Sequence, residues 1–207
     1  MATTPQTAPE RVNTLRHLVT SLLYTMVTVI ALGLIYPFVI WGLATLLFHH
    51  QAAGSLITGP NGEVIGSALV GQSFTKPQYF QGRPSAAGKG YDPTSTGGTN
   101  LGPTSKKLID ATKSTIAALK KANPDARGPI PMDLVTSSAS GIDPDISPAG
   151  AYYQAPRVAK ARRMSLENVR AIIAAHTMSR QFGLLGEPRV NVLDVNRTLD
   201  AQGAASK

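Results

Sequence analysis

Two carboxylates and two hydroxyls that lie close together in the sequence are the first candidates for chemistry. Asp143 and Asp145 could hold a calcium ion, but Pro148 stands where a calcium loop requires glycine. Ser138 and Ser140 could act as nucleophiles, yet the G-x-S-x-G pattern of a hydrolase is absent around them. Aspartates beside proline are common in turns and caps. The pattern therefore predicts a loop, with a membrane-tethered hydrolase as the weaker alternative.

A glycine-rich stretch, residues 82–90, superficially resembles a nucleotide-binding loop. Five residues separate Gly82 from Gly88 where such a loop has four, and Gly90 replaces the hydroxyl residue that would bind magnesium. We therefore expect no phosphate-binding loop of that type. Arg83 in this stretch, together with Asp143 and Asp145, is instead a candidate contact with a partner.

The remaining chemically capable residues are histidines and clustered bases. The pair at 49–50 predicts a polar cap at a membrane–water interface, because a metal site would need further ligands. His176 is expected to be a packed or surface histidine of a helix. The basic side chains at 157–170 predict a solvated face suited to anionic lipid headgroups or an acidic partner, and no nucleic acid is expected as a partner.

The elements that position these residues follow from the charge distribution. The chain has 207 residues, a net charge of +8, no cysteine and only 15% charged residues, against about 25% in soluble domains. No Asp, Glu, Lys or Arg occurs between Arg16 and Glu63. This single gap excludes both a plain soluble globule and a multi-pass channel, and the lack of cysteine excludes a disulfide scaffold.

The apolar run at residues 18–48 predicts one transmembrane helix. As a helix it reaches about 46 Å, more than the roughly 30 Å of a bilayer core. It is too long for a cleaved signal peptide and no clean cleavage site follows it, which favours an uncleaved anchor. Pro37, four residues after Gly33, predicts a kink.

Flanking charge predicts the orientation of this anchor. Arg11 and Arg16 precede the span, whereas the first basic residue after it is Lys76. Positive charge near a span stays in the cytoplasm. We therefore expect a disordered cytoplasmic tail at 1–16, a membrane anchor at 17–48, and an extracytoplasmic domain at 49–207.

Small residues in the span suggest a partner helix. Ser21, Thr25 and Thr28 share one helical face, and Gly33 follows them. Such faces let helices approach closely in lipid. The alternative is that the hydroxyls bond back to the preceding turn of their own helix.

Beyond the anchor, hydrophobic periodicity and turn signals predict a small α+β domain. Asn61-Gly62 predicts a hairpin between strands at 56–58 and 63–70. The remaining predicted elements are a helix from 104 or 105 to 123, a strand at 130–135, a loop at 137–147, a helix at 148–163 capped by Ser147, a helix at 165–182, and a strand at 190–195.

The stretch 72–102 is rich in glycine and proline and has no clear periodicity. A long segment of this kind inside a domain predicts a functional loop or one ordered by a partner. Its aromatic residues Phe74, Tyr79, Phe80 and Tyr91 are candidate anchors. Most of them are expected to fill pockets of the domain itself, and the first three are also candidates for a partner interface.

A longer string of motifs resembles a known family. From Gly66 to Asp200 the chain closely resembles the C subunit of the Kdp-type potassium-transporting P-type ATPase. Thr99, where serine is commoner, and Ala139, where glycine is common, are mild departures. The resemblance is carried, in order, by GSALVGQ at 66–72, GRPSA at 82–86, YDP at 91–93, GTNLGP at 98–103, PMDLVT at 131–136, SASGIDPDIS at 138–147, PRVA at 156–159 and PRVNV at 188–192.

The resemblance implies an accessory, non-catalytic subunit of a potassium uptake complex in the bacterial inner membrane. Its expected partners are an ATP-hydrolysing P-type subunit, a potassium-channel-like subunit, a small hydrophobic subunit and membrane lipids. ATP and Mg would be used by the complex, which transports potassium. Like an accessory subunit, the chain has no TVGYG-like filter.

Subunits of this family are described as catalytic chaperones that raise the ATP affinity of the pump subunit, which draws attention to Gln154 as a nucleotide contact. ATP is cytoplasmic while the domain is predicted outside, so such an effect would have to be indirect. The alternative interpretation of the whole chain is a free-standing, membrane-anchored binding or sensory domain on the outer face.

Overall fold

The computed structural model describes residues 13–205, with side chains described as far as 202. The chain divides into two compact units, residues 1–53 and 54–207. Residues 1–12 of the disordered tail predicted at 1–16, Arg11 among them, lie outside the described residues, and the prediction is wrong for residues 14–16, which are helical. The predicted architecture is confirmed: one long apolar helix precedes a mixed α+β domain.

The N-terminal unit is a continuous helical stretch. Helix α1 (Thr14–Thr28) begins three residues before the predicted start of the anchor, passes through a π-helical segment (Val29–Ile35) and continues as α2 (Tyr36–Leu47), followed by the short α3 (His49–Ala52). The stretch Thr14–Leu47 has 34 residues and a mean hydropathy of 2.2, and none of its apolar window is buried. Length and composition make it a candidate membrane span.

The π-helical segment lies directly before Pro37, where the sequence predicts a kink. Pro37 has no N–H to donate to the carbonyl of Gly33, four residues earlier. The N–H of Tyr36 donates instead to the carbonyl of Ala31, five residues back. The irregularity in the hydrogen-bond ladder therefore has a local cause in the sequence.

The second unit begins with the predicted hairpin. Strands β1 (Leu56–Thr58) and β2 (Val64–Ser67) pair antiparallel, and a bulge lies between Ile57 and Thr58. The N–H of Gly59 donates to the carbonyl of Glu63 and closes the turn. The second strand is shorter than predicted because the chain turns back at 67–70.

Four helices and a three-stranded sheet make up the rest. They are α4 (Lys106–Ala122), β3 (Asp145–Ile146), α5 (Pro148–Arg162), α6 (Leu166–Ala175), β4 (Thr177–Met178), β5 (Arg189–Asn191) and α7 (Val192–Ala205), with a 3₁₀ turn at Met132–Leu134. The sheet order is β3-β5-β4, with both neighbours antiparallel to β5. The Ser147 hydroxyl accepts from the Gly150 N–H and caps α5 as predicted.

Three predicted elements differ from the structure, one in type and two in extent. The strand predicted at 130–135 is a 3₁₀ turn, because Pro131 cannot donate to a strand ladder. The helix predicted at 165–182 ends at Ala175, and the next residues form β4. The strand predicted at 190–195 stops at Asn191, where α7 begins.

The core of this unit lies where α5, α6, α7 and β5 meet. Its members are apolar side chains with little or no exposure. Val192, Val195 and Leu199 recur at helical spacing along α7 and face this core. The largest fully buried side chain, that of Phe80, belongs to the long loop rather than to a helix or strand.

Candidate functional site

Residues 77–83, here termed the clamped segment, lie in the first half of the long loop. Two side-chain amides hold its backbone. Asn196 Oδ1 accepts from the Phe80 N–H at 2.8 Å, and its Nδ2 donates to the Phe80 carbonyl at 2.9 Å. Gln154 does the same for Gln81, at 2.9 and 3.0 Å. Helices α5 and α7 thus satisfy the backbone of two successive loop residues as a neighbouring strand would.

Arg157, on α5, also binds the backbone of the clamped segment. Its guanidinium donates to the carbonyls of Pro77 and Tyr79, to Asn123 Oδ1 and to Gln154 Oε1. These acceptors are neutral, and burial lowers the pKa of Arg157 to about 10. The expected solvated basic face is therefore wrong for Arg157, which is buried because the loop folds over it.

Tyr79 and Arg162 close the outer end of the segment. The Tyr79 hydroxyl donates to Asp200, Arg162 pairs with the same carboxylate at 2.8 Å, and the guanidinium lies 5.1 Å from the centre of the tyrosine ring. Burial raises the pKa of Tyr79, and the charge of Asp200 adds to the rise. Arg162 also donates to the Gln78 carbonyl, so its guanidinium helps to hold the loop in place.

At Arg83, the last residue of the clamped segment, and in the loop after it, the chain is tied to the segment 136–145. Arg83 pairs with Asp143 at 2.9 Å, and the Tyr91 hydroxyl donates to the Arg83 carbonyl. Ser85 donates to the carbonyl of Gly141. Burial raises the pKa of Tyr91 to about 12, with a further contribution from the negative charge of Asp143.

Asp145 belongs to the same polar cluster but faces β5. It pairs with Arg189 at 3.0 Å and accepts from Asn191 Nδ2 at 3.3 Å. Burial raises its pKa, and the positive charge of Arg189 opposes that rise. Asp143 and Asp145 thus each hold an arginine of another segment, and neither serves the other as a paired acid and base.

A cleft of about 570 Å³ opens beside the clamped segment, between the loop and α4. Its walls combine apolar surface with hydroxyl, amide and guanidinium groups, contributed by Gln72, Phe74, Arg83, Ser85, Tyr91, Ser114 and Leu119 among others. Such a lining can accept a polar ligand or an extended segment of a partner.

The remaining hydroxyl and imidazole candidates have structural contacts. Ser138 Oγ accepts from the Gly141 N–H and Ser140 Oγ accepts from the Ile142 N–H. His176 caps α6 and lies 2.9 Å from both the Ile172 carbonyl and the Thr198 hydroxyl. Among residues 13–205, no group of three or more His, Asp or Glu side chains is placed to hold a metal ion.

The predicted partner contacts of the domain fall into two groups. Phe80 is fully buried, so its assignment to an interface is corrected: its ring fills the core. Phe74, Tyr79, Arg83, Asp143 and Asp145 are half-buried and keep some exposed surface. The first two pack together with ring centres 5.4 Å apart, so they too serve the domain.

Gln154, the predicted nucleotide contact, is almost completely buried. Its oxygen and nitrogen are occupied by Gln81 and Arg157. A nucleotide could reach this amide only if those hydrogen bonds were exchanged, and the contact stays a prediction. Asn196, which sequence reasoning missed, carried a signal: it is a polar residue at a core position of the helical pattern Val192, Val195, Leu199.

In the N-terminal unit the hydroxyls do bond within their own helix. Ser21 donates to the carbonyl of Leu18, Thr25 to that of Ser21, and Thr28 to that of Tyr24. This is the alternative given above, and it leaves the small side chains at the surface with their polar groups satisfied. A helix interface here, including Gly33, stays a prediction.

Comparison with known proteins gives one consistent result. The family KdpC: K+-transporting ATPase, c chain, matches residues 18–201. A potassium-transporting ATPase KdpC subunit of Koribacter versatilis is 53% identical over 186 residues, covering 89% of this chain and 94% of that protein. The proteins of the same name from Acidobacterium capsulatum and Myxococcus xanthus are 55% and 51% identical, over 90% and 87% of this chain and 98% and 86% of theirs.

Proposed function

The chain belongs to the KdpC family of subunits of the K+-transporting ATPase, and from that premise we propose how it acts. It serves as an accessory subunit that performs no catalysis itself and is needed for assembly and activity of the potassium uptake complex. The match of residues 18–201 to the family carries this proposal. The hydrogen-bonding roles of Ser138, Ser140 and His176 in turns and caps support it.

We further propose that the chain crosses the inner membrane once, with residues 49–207 outside. The 34-residue apolar helix and the position of Arg11 and Arg16 before it support this orientation. Its partners are an ATP-hydrolysing P-type subunit, a potassium-channel-like subunit, a small hydrophobic subunit and surrounding lipid. Any effect on ATP affinity then passes through a conformational equilibrium shared by the subunits.

Growth at low external potassium tests the function. Deleting the chain from cells that depend on this complex is expected to abolish growth at low external potassium and to leave growth at high potassium normal. Restoring the chain restores growth. Normal growth of the deletion strain at low potassium would refute the accessory role and favour the free-standing sensory domain.

The absence of cysteine makes the orientation directly testable. A Ser179→Cys variant is expected to react with a membrane-impermeant maleimide in intact spheroplasts, because Ser179 is exposed in the second unit. A matched Thr4→Cys variant is expected to react only after the cells are broken. The reverse pattern would place the domain in the cytoplasm.

A further inference from the structure

The loop between β4 and β5 exposes three large apolar side chains at its tip. Phe182, Leu184 and Leu185 are 84%, 80% and 60% exposed. These residues, together with Gly183, are here termed the apolar tip. Isolated apolar residues on a surface need no explanation, but a contiguous cluster marks a contact site.

The backbone of the apolar tip is ordered by its own hydrogen bonds. Gln181 and Leu185 exchange N–H to carbonyl bonds of 2.8 and 2.9 Å. Phe182 adopts a φ of 54°, in the left-handed region that a bulky residue rarely occupies. Strain of this kind persists where the surroundings enforce it and is concentrated at functional positions. The turn thus holds the phenyl ring outward in a fixed backbone.

The base of the tip is firmly anchored. β5 is the central strand of the sheet, and Thr177 and Met178 pair with Val190 and Arg189. Val190 is fully buried. A rigid stem and an ordered turn lower the ordering cost that binding would otherwise incur.

Charge at the tip favours a protein pocket over a lipid surface. One guanidinium nitrogen of Arg180 donates to both carboxylate oxygens of Glu187, at 2.8 and 2.6 Å, and Arg189 pairs with Asp145. Residues 177–190 contain no Lys, Trp or Tyr. Segments that bind anionic bilayers carry unpaired bases beside their apolar residues, with tryptophan or tyrosine at the interface.

We propose that the apolar tip docks in an apolar pocket on a partner subunit of the potassium-transporting complex, with Phe182 as the central anchor. The proposal rests on the proposed function, since it requires the chain to act within a complex. An aromatic side chain presented on a rigid turn is the kind of residue that dominates binding energy at interfaces. The neutral ion pair of Arg180 and Glu187 would form its polar rim.

Photocrosslinking in the intact complex tests the contact. With benzoylphenylalanine in place of Phe182, irradiation is expected to join this chain to a partner subunit. The same replacement at Met132, which is 77% exposed, serves as the control and is expected to give no such product. Crosslinking of position 182 to lipid alone, or to nothing, would overturn the proposal.

Affinity provides the second test. Phe182→Asn combined with Leu184→Gln removes the apolar surface while asparagine tolerates the left-handed backbone. Binding of the detergent-purified full chain to partner subunits from a deletion strain is expected to weaken about tenfold or more. Met132→Gln is expected to bind as the unmodified chain does. A double variant that unfolds at the same temperature as the unmodified chain and binds equally well would refute the docking role.

The two proposals fail in different ways. If the unmodified chain does not bind the partner subunits at all, the accessory function is wrong. If the unmodified chain binds but neither the crosslink nor the double variant shows an effect, only the role of the apolar tip is wrong.

Discussion

Gln154 and Gln81 exchange two hydrogen bonds across a sequence separation of 73 residues: the side-chain oxygen of Gln154 accepts from the Gln81 N–H, and its side-chain nitrogen donates to the Gln81 carbonyl. Gln154 lies on α5, and Gln81 lies in a loop without regular secondary structure. The pair explains how a glycine- and proline-rich loop acquires a fixed backbone: helix side chains replace the strand partner it lacks.

Gln154→Ala is expected to lower the free energy of unfolding by about 1–3 kcal/mol, because it leaves buried backbone groups of Gln81 without partners. Gln154→Glu keeps the shape but loses the donor to the Gln81 carbonyl, and is expected to destabilise as well. Gln202→Ala, at an exposed position of α7, is the control. The measurement is urea unfolding of the full chain in detergent, followed by tyrosine fluorescence. A change below about 0.5 kcal/mol for Gln154→Ala would contradict the clamp.

Arg157→Lys tests the fork of hydrogen bonds beneath the clamped segment. A single ammonium cannot reach the carbonyls of Pro77 and Tyr79 together with Asn123, so we expect a loss of about 2–4 kcal/mol. Arg170→Lys, on the exposed side of α6, changes the same chemical group without those partners. Equal stability of both variants in thermal unfolding of the full chain would show that the fork is dispensable.

Phe80 and Phe74 lie in the same loop, and truncating each one compares the stability contributed by a fully buried ring with that of a partly buried ring. Phe80→Ala removes a fully buried ring and is expected to cost about 3–5 kcal/mol. Phe74 only packs against the core from outside, so Phe74→Ala is expected to cost less. If the urea midpoints show Phe74→Ala to be the more destabilising change, the assignment of Phe80 as the anchor of the loop is wrong.

The sequence predicts the features that depend on neighbouring residues and misses those that depend on contacts between distant ones. Local signals were sufficient for the Ser147-Pro148 cap of α5 and for the turn at Asn61-Gly62, because a cap and a tight turn depend on residues a few positions apart. The end of α6 depends instead on β4 pairing with Val190, which is distant in the sequence. No local pattern in residues 165–182 reveals that partner.

The start of α7 was mispredicted for a different reason. Val190, Val192 and Val195 are β-branched and approximate an alternating pattern, which favours a strand. The buried positions 192, 195, 196 and 199 instead follow helical spacing. Including Leu199 and Asn196 in the count would have predicted the helix. The contact of Asn196 with Phe80 could not have been predicted, because nothing local places the loop against α7.

Ionisation of Tyr91 makes the stability of the folded chain depend on pH in the alkaline range. Its pKa is raised to about 12 in the folded chain from 10.0, so the folded state keeps a proton that the unfolded state releases. The stability that this group contributes is fully present below pH 10 and is lost as pH rises through about 12. In the Tyr91→Phe variant the free energy of unfolding is expected to fall less steeply between pH 10 and about 12 than in the unmodified chain. Subtracting the phenolate absorbance of Tyr91→Phe from that of the unmodified chain isolates the ionisation of Tyr91. The midpoint of this difference is expected near pH 12, and a midpoint near pH 10 would contradict the burial of the hydroxyl.

Gly33 provides the test of the anchor. Ser21, Thr25 and Thr28 lie on α1, and Gly33 lies in the π-helical segment that follows it. A Cβ at Gly33 would meet only the Val29 Cγ1 atom, at an ordinary contact distance of 3.8 Å, and a Cβ at Gly42 would meet nothing within 4 Å, so a larger side chain at either position fits the isolated helix. Gly33→Leu is expected to reduce the amount of partner subunits that co-purify with the chain, because it fills the face on which another helix would pack. Gly42→Leu, which lies beyond the π segment in α2, is expected to leave that amount unchanged. Equal recovery with both variants would show that the small-residue face makes no helix contact.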